Sequence, residues 1–440
     1  MADPLKKKFQ EKALALFTEM RALLKEHGDL KVDEVKLRQV LGGARGIKMM
    51  LWETSQLDAI EGIRFRGYSI PQLQEKLPLI NGSKEPLPES LFWLMLVGEI
   101  PTAEEIEWLS KEWSKRSEVP QQTFDVLDTL PKDTHPMTQF SLAIVSMQSE
   151  SVFASRYDEG MNKKEYWDAT YEDAMNLIAR LPKVAAYIYR RTYHDGKHIE
   201  ANPELDWAAN FAHMLGIEGD DFQNLMRLYL TIHADHEGGN ASAHTVHLVN
   251  STLSDPYLSF ASGMNALAGP LHGLANQEVI KWIFKMVDAL GTTKPTKEQI
   301  AQYVHDTLDA GQVIPGYGHA VLRQPDPRFT AQKGFAERYI KDDDIVNVVW
   351  KIFDVVPPIL DSLGKVKNPW PNVDAHSGAL LVHYGLKEYG YYTVLFGVSR
   401  ALGVLAALCW SRALGMPLER PKSVTSEWVK TYLAEQGVTA

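Results

Sequence analysis

YYTVLFGVSRALGVLAALCWSRAL, Tyr391 to Leu414, is the longest apolar stretch in the chain, and its reading decides the fold. It is long enough to cross a bilayer, but Arg400 lies inside it and Arg412 near its end. A guanidinium in hydrocarbon is heavily penalised. The stretch therefore reads as a helix buried by protein. Arg400 then needs a carboxylate, either from the chain or from a ligand.

Outward from this stretch, helical punctuation recurs and strand alternation is scarce. In PLPESLFWLMLVGEIPT, Pro88 suits a first turn, Leu91 to Val97 form an apolar block, and Gly98 with Pro101 stop it. DPYLSFASGMNALAGP repeats the pattern, with Asp255 as N-cap, Pro256 at the first helical position and Gly269-Pro270 as terminator. No repeat period, low-complexity tract or heptad array is present, which argues against a solenoid or coiled coil. The expected fold class is all-α. The start, MADPLKKKFQEKALALFTEM, mixes lysines with acids and reads as an amphipathic helix rather than a signal or transit peptide.

The 440 residues, 45% of them hydrophobic, suffice for two domains or one large one and predict a soluble globular protein. A net charge of −10 with no basic run gives a nucleic-acid backbone nothing to grip. The single Cys409 excludes an intramolecular disulfide framework and cysteine-based zinc or iron–sulfur sites, and suits a reducing compartment. From Gln277 to about Val366 the chain becomes more charged and richer in lysine, between glycine- and proline-rich joints at AGPLHG and KNPWPNVDAHSG. This suggests a smaller inserted domain, with residues 1–273 and 380–440 forming the large one, 274–379 the small one, and a cleft between them.

Candidate chemistry concentrates in HADHEGGNASAH (His233 to His244), AGPLHGLANQE, VIPGYGHAVLRQPDPR, NPWPNVDAHSG, FGVSRALGV and LERPKS. His233 and His236 lie three apart with Asp235 interleaved, which raises a metal site. The motif is not HExxH and no cysteine is nearby, so contact of His236 with an anion ranks above a structural role, and metal ranks third. His272 follows a Gly-Pro stop and precedes a new helix, whose positive end would favour a neutral ring able to polarise a carbonyl; packing alone is an equal alternative. Asp374, behind the stiff Pro369-Trp370-Pro371, is either an N-cap or a base whose enolate product must be caught by hydrogen-bond donors. Pro315, Gly316 and Gly318 are turn residues that would let a ligand approach the backbone before His319. Arg328, Arg400 and Arg420 could converge on a small di- or tricarboxylate.

These stretches, with ARGIKMMLWETSQLDAIEGIRFRGYSIP from Ala44, together resemble the citrate synthase family, in its dimeric type, from roughly residue 40 to 423. The resemblance implies a helical homodimer of large and small domains, which condenses acetyl-CoA with oxaloacetate and hydrolyses citryl-CoA, with no metal or other cofactor. It assigns Asp374 as the base, His272 as the group that stabilises the enol or enolate, and His319 as the group that polarises the ketone. His236, Arg328 and Arg400 would hold oxaloacetate, with Arg420 arriving from the neighbouring subunit. CoA would lie along Val313, Ile314, Pro315, Gly316 and Tyr317, with Arg45, Arg323, Lys367 and Lys163 as phosphate contacts; Lys163 stands where relatives would carry arginine. Oxaloacetate bridging both domains would favour closure.

The nearest rival is 2-methylcitrate synthesis from propionyl-CoA, since one methylene is worth only about 1–3 kcal/mol in a pocket. A metal-dependent hydrolase on His233, Asp235 and His236 is a more distant one, and a catalytically silent helical binding protein is a third. A bacterial cytoplasmic location is expected, with the mitochondrial matrix as the alternative and no nucleic-acid or membrane partner.

Overall fold

The computed structural model describes residues 3–319, 321–364 and 366–438. Its centre is the stretch that raised the membrane question, now the helix Tyr392–Ala413, in which every residue but Ala413 is buried. Protein surrounds it. The helices Pro88–Val97, Tyr166–Tyr193, Asp220–Ile232, Ala241–Ser251 and Pro256–Leu267 all pack on it. Its glycines allow this closeness: a Cβ at Gly403 would lie 2.4 Å from the Ala234 carbonyl oxygen and 2.5 Å from Asp235 Cβ. Truncating one of its enclosed leucines, such as Leu405, would cost about 2–5 kcal/mol through the cavity left behind.

The flanking helices begin and end where their caps dictate. Pro88–Val97 is buried on all sides and stops at Gly98, whose φ of 80° closes the last turn. In Pro256–Leu267 the Asp255 carboxylate accepts from the Tyr257 and Leu258 amides. The amphipathic start forms Pro4–His27, which buries only Leu5, Phe9 and Ala13. To this helical frame the structure adds one small antiparallel sheet: β1 (Ser55–Asp58), β2 (Gly62–Phe65) and β3 (Tyr68–Ser69), in the order β1-β2-β3. Arg66 and Gly67, both at positive φ, make the two-residue turn between β2 and β3.

The lysine-rich segment folds into Ala275–Leu290, Lys297–Asp309, Pro327–Tyr339 and Asp344–Ser362, which pack on one another and on Asp374–His383. Pro327–Tyr339 also reaches the helices Asp220–Ile232 and Ile70–Lys76, and Ala275–Leu290 touches the central helix. An Arg338–Glu85 ion pair and a 2.8 Å bond from the Arg323 amide to the Ala59 carbonyl join this segment to the N-terminal part of the chain.

Candidate active site

The Pro-Gly loop is fastened to the proline-rich joint 368–372. Tyr317 pairs with Pro371, the Gly318 amide donates to the Trp370 carbonyl (3.0 Å), and the Asn372 amide donates to the Gly316 carbonyl (2.9 Å). Gly316 and Gly318 hold φ of 79° and 93°, as turn chemistry requires. Gly316 has a second reason to be glycine: a Cβ there would meet Val279 Cγ2 at 2.8 Å and Ala375 Cα at 3.0 Å. Its bareness serves packing against the helix that carries Asp374.

This fastening presents His319. Its Nδ1 accepts from the Val321 and Leu322 amides at 3.0 and 3.1 Å, so the ring proton of the neutral form sits on Nε2. Burial, with Arg328 nearby, depresses its pKa and keeps it neutral. The His319 and His236 rings lie 5.5 Å apart, edge to face. The helix Asp220–Ile232 stops before His233, so His233 and His236 do not share a helical face. Burial pushes the His236 pKa well down, helped by Arg328, His319, Arg400 and His272, and its Nε2 is buried with no protein partner among the described residues.

His272 sits in the turn between Pro256–Leu267 and Ala275–Leu290. The Ser242 amide donates to its Nε2 at 3.1 Å, which leaves the proton on Nδ1, the opposite nitrogen from that of His319. Its pKa falls to about 4, by burial first and Arg400 second. The ring is neutral, as expected, with low dielectric and a nearby cation lowering its pKa.

Asp374 opens the helix Asp374–His383 but does not cap it; the cap position is Val373, and Asn372 Oδ1 accepts the Asp374 amide. Its carboxylate accepts no hydrogen bond from any described residue. Burial raises its pKa to about 6; Arg328 and Arg400 oppose the rise and Asp326 adds to it. It suits a base that works near neutrality.

Neither internal arginine is on the surface. Arg328 is 4% exposed and locked by Nε and Nη2 onto the Asp326 carboxylate, the Nη2–Oδ2 distance being 2.6 Å. Arg400 is 1% exposed and forms no ion pair with any described residue; Nη1 donates to Asn240 Oδ1 (3.1 Å), and the guanidinium lies over Phe396. Burial lowers its pKa to about 10, so it stays charged at neutral pH. A buried cation with no carboxylate among the described residues suits an anionic ligand.

The mutual pKa influences tie His236, His272, His319, Asp374, Arg328 and Arg400 into one neighbourhood. Arg420 is exposed, on the segment after the central helix; beside it Glu419 is held by His244 (2.8 Å) and Ser251. Val313 is 80% exposed and Ile314 is buried. Arg45, Lys163 and Lys367 are exposed, and no hydrogen bond or ion pair links Arg45 or Lys163 to the 313–317 loop among the described residues. Arg323 Nη1 donates to the Val321 and Leu322 carbonyls, bracing the turn after His319.

Sequence reasoning singled out neither Asn240, Ser242 nor Asp326. Asn240 and Asp326 carried a signal, since each N-caps the helix that follows. The metal alternative meets an obstacle: three side-chain donors and one amide converge on the Asp235 carboxylate. Among the described residues no cluster of three or more His, Cys, Asp or Glu could hold a metal.

The family model for the citrate synthase C-terminal domain matches residues 43–422. The chain is 57% identical over 404 residues to the probable mitochondrial citrate synthase of Glossina morsitans morsitans, covering 92% of this chain and 87% of that one. It is 54% identical over 426 residues to the mitochondrial citrate synthase of Saccharomyces cerevisiae, covering 97% and 89%. Among solved structures, citrate synthase from Pyrobaculum aerophilum superposes with a TM-score of 0.77 at 27% identity, covering 90% and 97%. The fold is also that of the Thermoplasma acidophilum enzyme solved as a ternary complex with carboxymethyl coenzyme A and oxaloacetate (TM-score 0.74, 22% identity, 89% and 96% covered).

Proposed function

The chain belongs to the citrate synthase family, and from that premise we propose the following division of labour in its cleft. The enzyme is an acyltransferase that condenses acetyl-CoA with oxaloacetate and hydrolyses citryl-CoA to citrate and CoA. Asp374 removes a methyl proton from acetyl-CoA. His272 donates from Nδ1 to the thioester oxygen, where negative charge develops, and His319 donates from Nε2 to the oxaloacetate ketone. Both rings are neutral donors, so each stabilises charge without first surrendering its proton. Arg400, Arg328 and His236 hold the oxaloacetate carboxylates. The observation that carries this reading is the buried Arg400, in no ion pair among the described residues and within electrostatic reach of Asp374 and His236.

CoA lies along Val313–Tyr317, with Arg45, Lys163, Arg323 and Lys367 as candidate phosphate contacts. Residues 274–379 form the small domain, and its approach to the rest of the chain excludes water until citryl-CoA has formed. The protein works as a homodimer, in which Arg420 completes the partner's site. In support, Leu142, Val145, Leu248 and Leu258 are exposed on the adjoining helices Pro136–Ser146, Ala241–Ser251 and Pro256–Leu267, an apolar surface suited to a second copy. The relatives' mitochondrial names favour the matrix over a bacterial cytosol.

The test is thiol release from acetyl-CoA and oxaloacetate, run with and without chelator and with propionyl-CoA as competing donor. Equal rates in chelator and a preference for acetyl-CoA are expected. Loss of activity in chelator would favour the metal hydrolase, and a preference for propionyl-CoA the methylcitrate reaction.

A further inference from the structure

Asp235 is fully buried, one residue before His236, and four donors converge on it. Trp52 Nε1 (3.0 Å), Thr54 Oγ1 (2.5 Å) and Ser55 Oγ (2.8 Å) reach Oδ2, and the His236 amide reaches Oδ1 at 2.9 Å. The same short run of chain takes two more bonds from the next residue: the Glu237 amide donates to Ser55 Oγ, and Glu237 Oε2 accepts the Leu57 amide. Glu237 is held at φ 51°, a conformation that side-chain-bearing residues rarely adopt. Asn240 closes the loop by donating to the His236 and Glu237 carbonyls (3.1 and 2.7 Å) while accepting from Arg400. On its far side Asp235 abuts Gly403, one helical turn beyond Arg400.

We infer that Asp235 is a positioning residue for substrate recognition: its carboxylate clamps the 235–237 turn onto β1 and its approach, and so fixes His236 against Arg400. A carboxylate is needed because only an acceptor-only group can receive four donors. The inference rests on the proposed role of His236 as an oxaloacetate contact.

Asp235→Asn puts an amide NH2 among donors without changing size, and two consequences oppose each other. Loss of a buried negative charge near Arg400 would by itself tighten an anionic ligand, whereas release of His236 weakens it. The sign of the affinity change therefore separates positioning from charge. Oxaloacetate binding is measured by calorimetry on the full-length protein, on Asp235→Asn and on His236→Gln, with steady-state kinetics alongside. Expected for Asp235→Asn are oxaloacetate binding and KM weakened tenfold or more and kcat changed less than threefold. Unchanged or tighter binding would overturn the inference, even with a lowered Tm. If His236→Gln binds oxaloacetate like the parent, the underlying contact fails and the inference with it; if only His236→Gln weakens binding, positioning alone is refuted. Should Asp235→Asn not fold, Trp52→Phe with Thr54→Val removes two donors and keeps the carboxylate. A threefold or greater loss of oxaloacetate affinity is expected there, and none would overturn the inference.

Discussion

Asp374→Asn should make the ligand-free protein more stable at pH 8 while nearly abolishing condensation. The native carboxyl has its pKa raised from 3.8 to about 6, because burial disfavours the ion more than Arg328 and Arg400 favour it. The folded state thus holds a proton that the unfolded state has released, and stability falls as pH rises from about 4 through 6, then levels. A shift of about two units corresponds to a cost on the order of 3 kcal/mol at pH 8, and about half that at pH 5, where the native carboxyl is mostly protonated. Asparagine, which never ionises, avoids the cost. For a chain of this size, 1 kcal/mol moves Tm by roughly 1–2 °C, so the variant should melt roughly 3–6 °C higher at pH 8. Thermal unfolding followed by tryptophan fluorescence at both pH values reads this directly. An asparagine variant that is no more stable at pH 8, or whose advantage does not shrink at pH 5, would refute the environment assigned to the base.

The same ionisation should govern the rate: kcat/KM falls about tenfold between pH 7 and pH 5 as Asp374 is protonated, and a flat profile over that range would deny it the role of base. Arg400→Gln should weaken oxaloacetate binding by about 2–5 kcal/mol, roughly thirtyfold or more, since it removes the site's one unpaired buried cation among the described residues; calorimetry showing parental affinity would reject the anion site. Gly316→Ala, with a Cβ against Ala375 and Val279 at φ 79°, should destabilise by about 2–4 kcal/mol and lower kcat by displacing the helix of Asp374; denaturant unfolding and turnover check both. Arg420→Ala should weaken oxaloacetate binding through the subunit interface, and unchanged affinity would remove Arg420 from the site.

The helical frame was legible because its signals are local. A cap acts within one turn, so Asp255-Pro256 and Pro88 with Gly98 announce their helices from the residues alone. The three-stranded sheet was not expected: its strands are two to four residues long, too short for alternation to show, and only the Arg66-Gly67 turn hints at them. Of the candidate site, the residue types were legible and their settings were not. Asp326 was quoted only as part of a loop, yet it is the carboxylate that holds Arg328. Arg420 remains as the sequence left it, since its proposed partner lies on another chain.

The sequence alone determined that the chain is helical, that Arg400 cannot face lipid, and that histidines, arginines and one well-placed aspartate cluster in glycine-rich joints. Which nitrogen of His272 and His319 keeps its proton, the rise of the Asp374 pKa to about 6, and the lack of a carboxylate partner for Arg400 among the described residues emerge only in the folded chain. The physical reason is range. Capping and turn chemistry are settled between neighbours in the chain, whereas desolvation, and pairings such as Arg400 with Asn240 160 residues earlier, exist only once the chain has closed around the groups; even the His319 tautomer, set by Val321 and Leu322 in its own turn, shows only when that turn has folded.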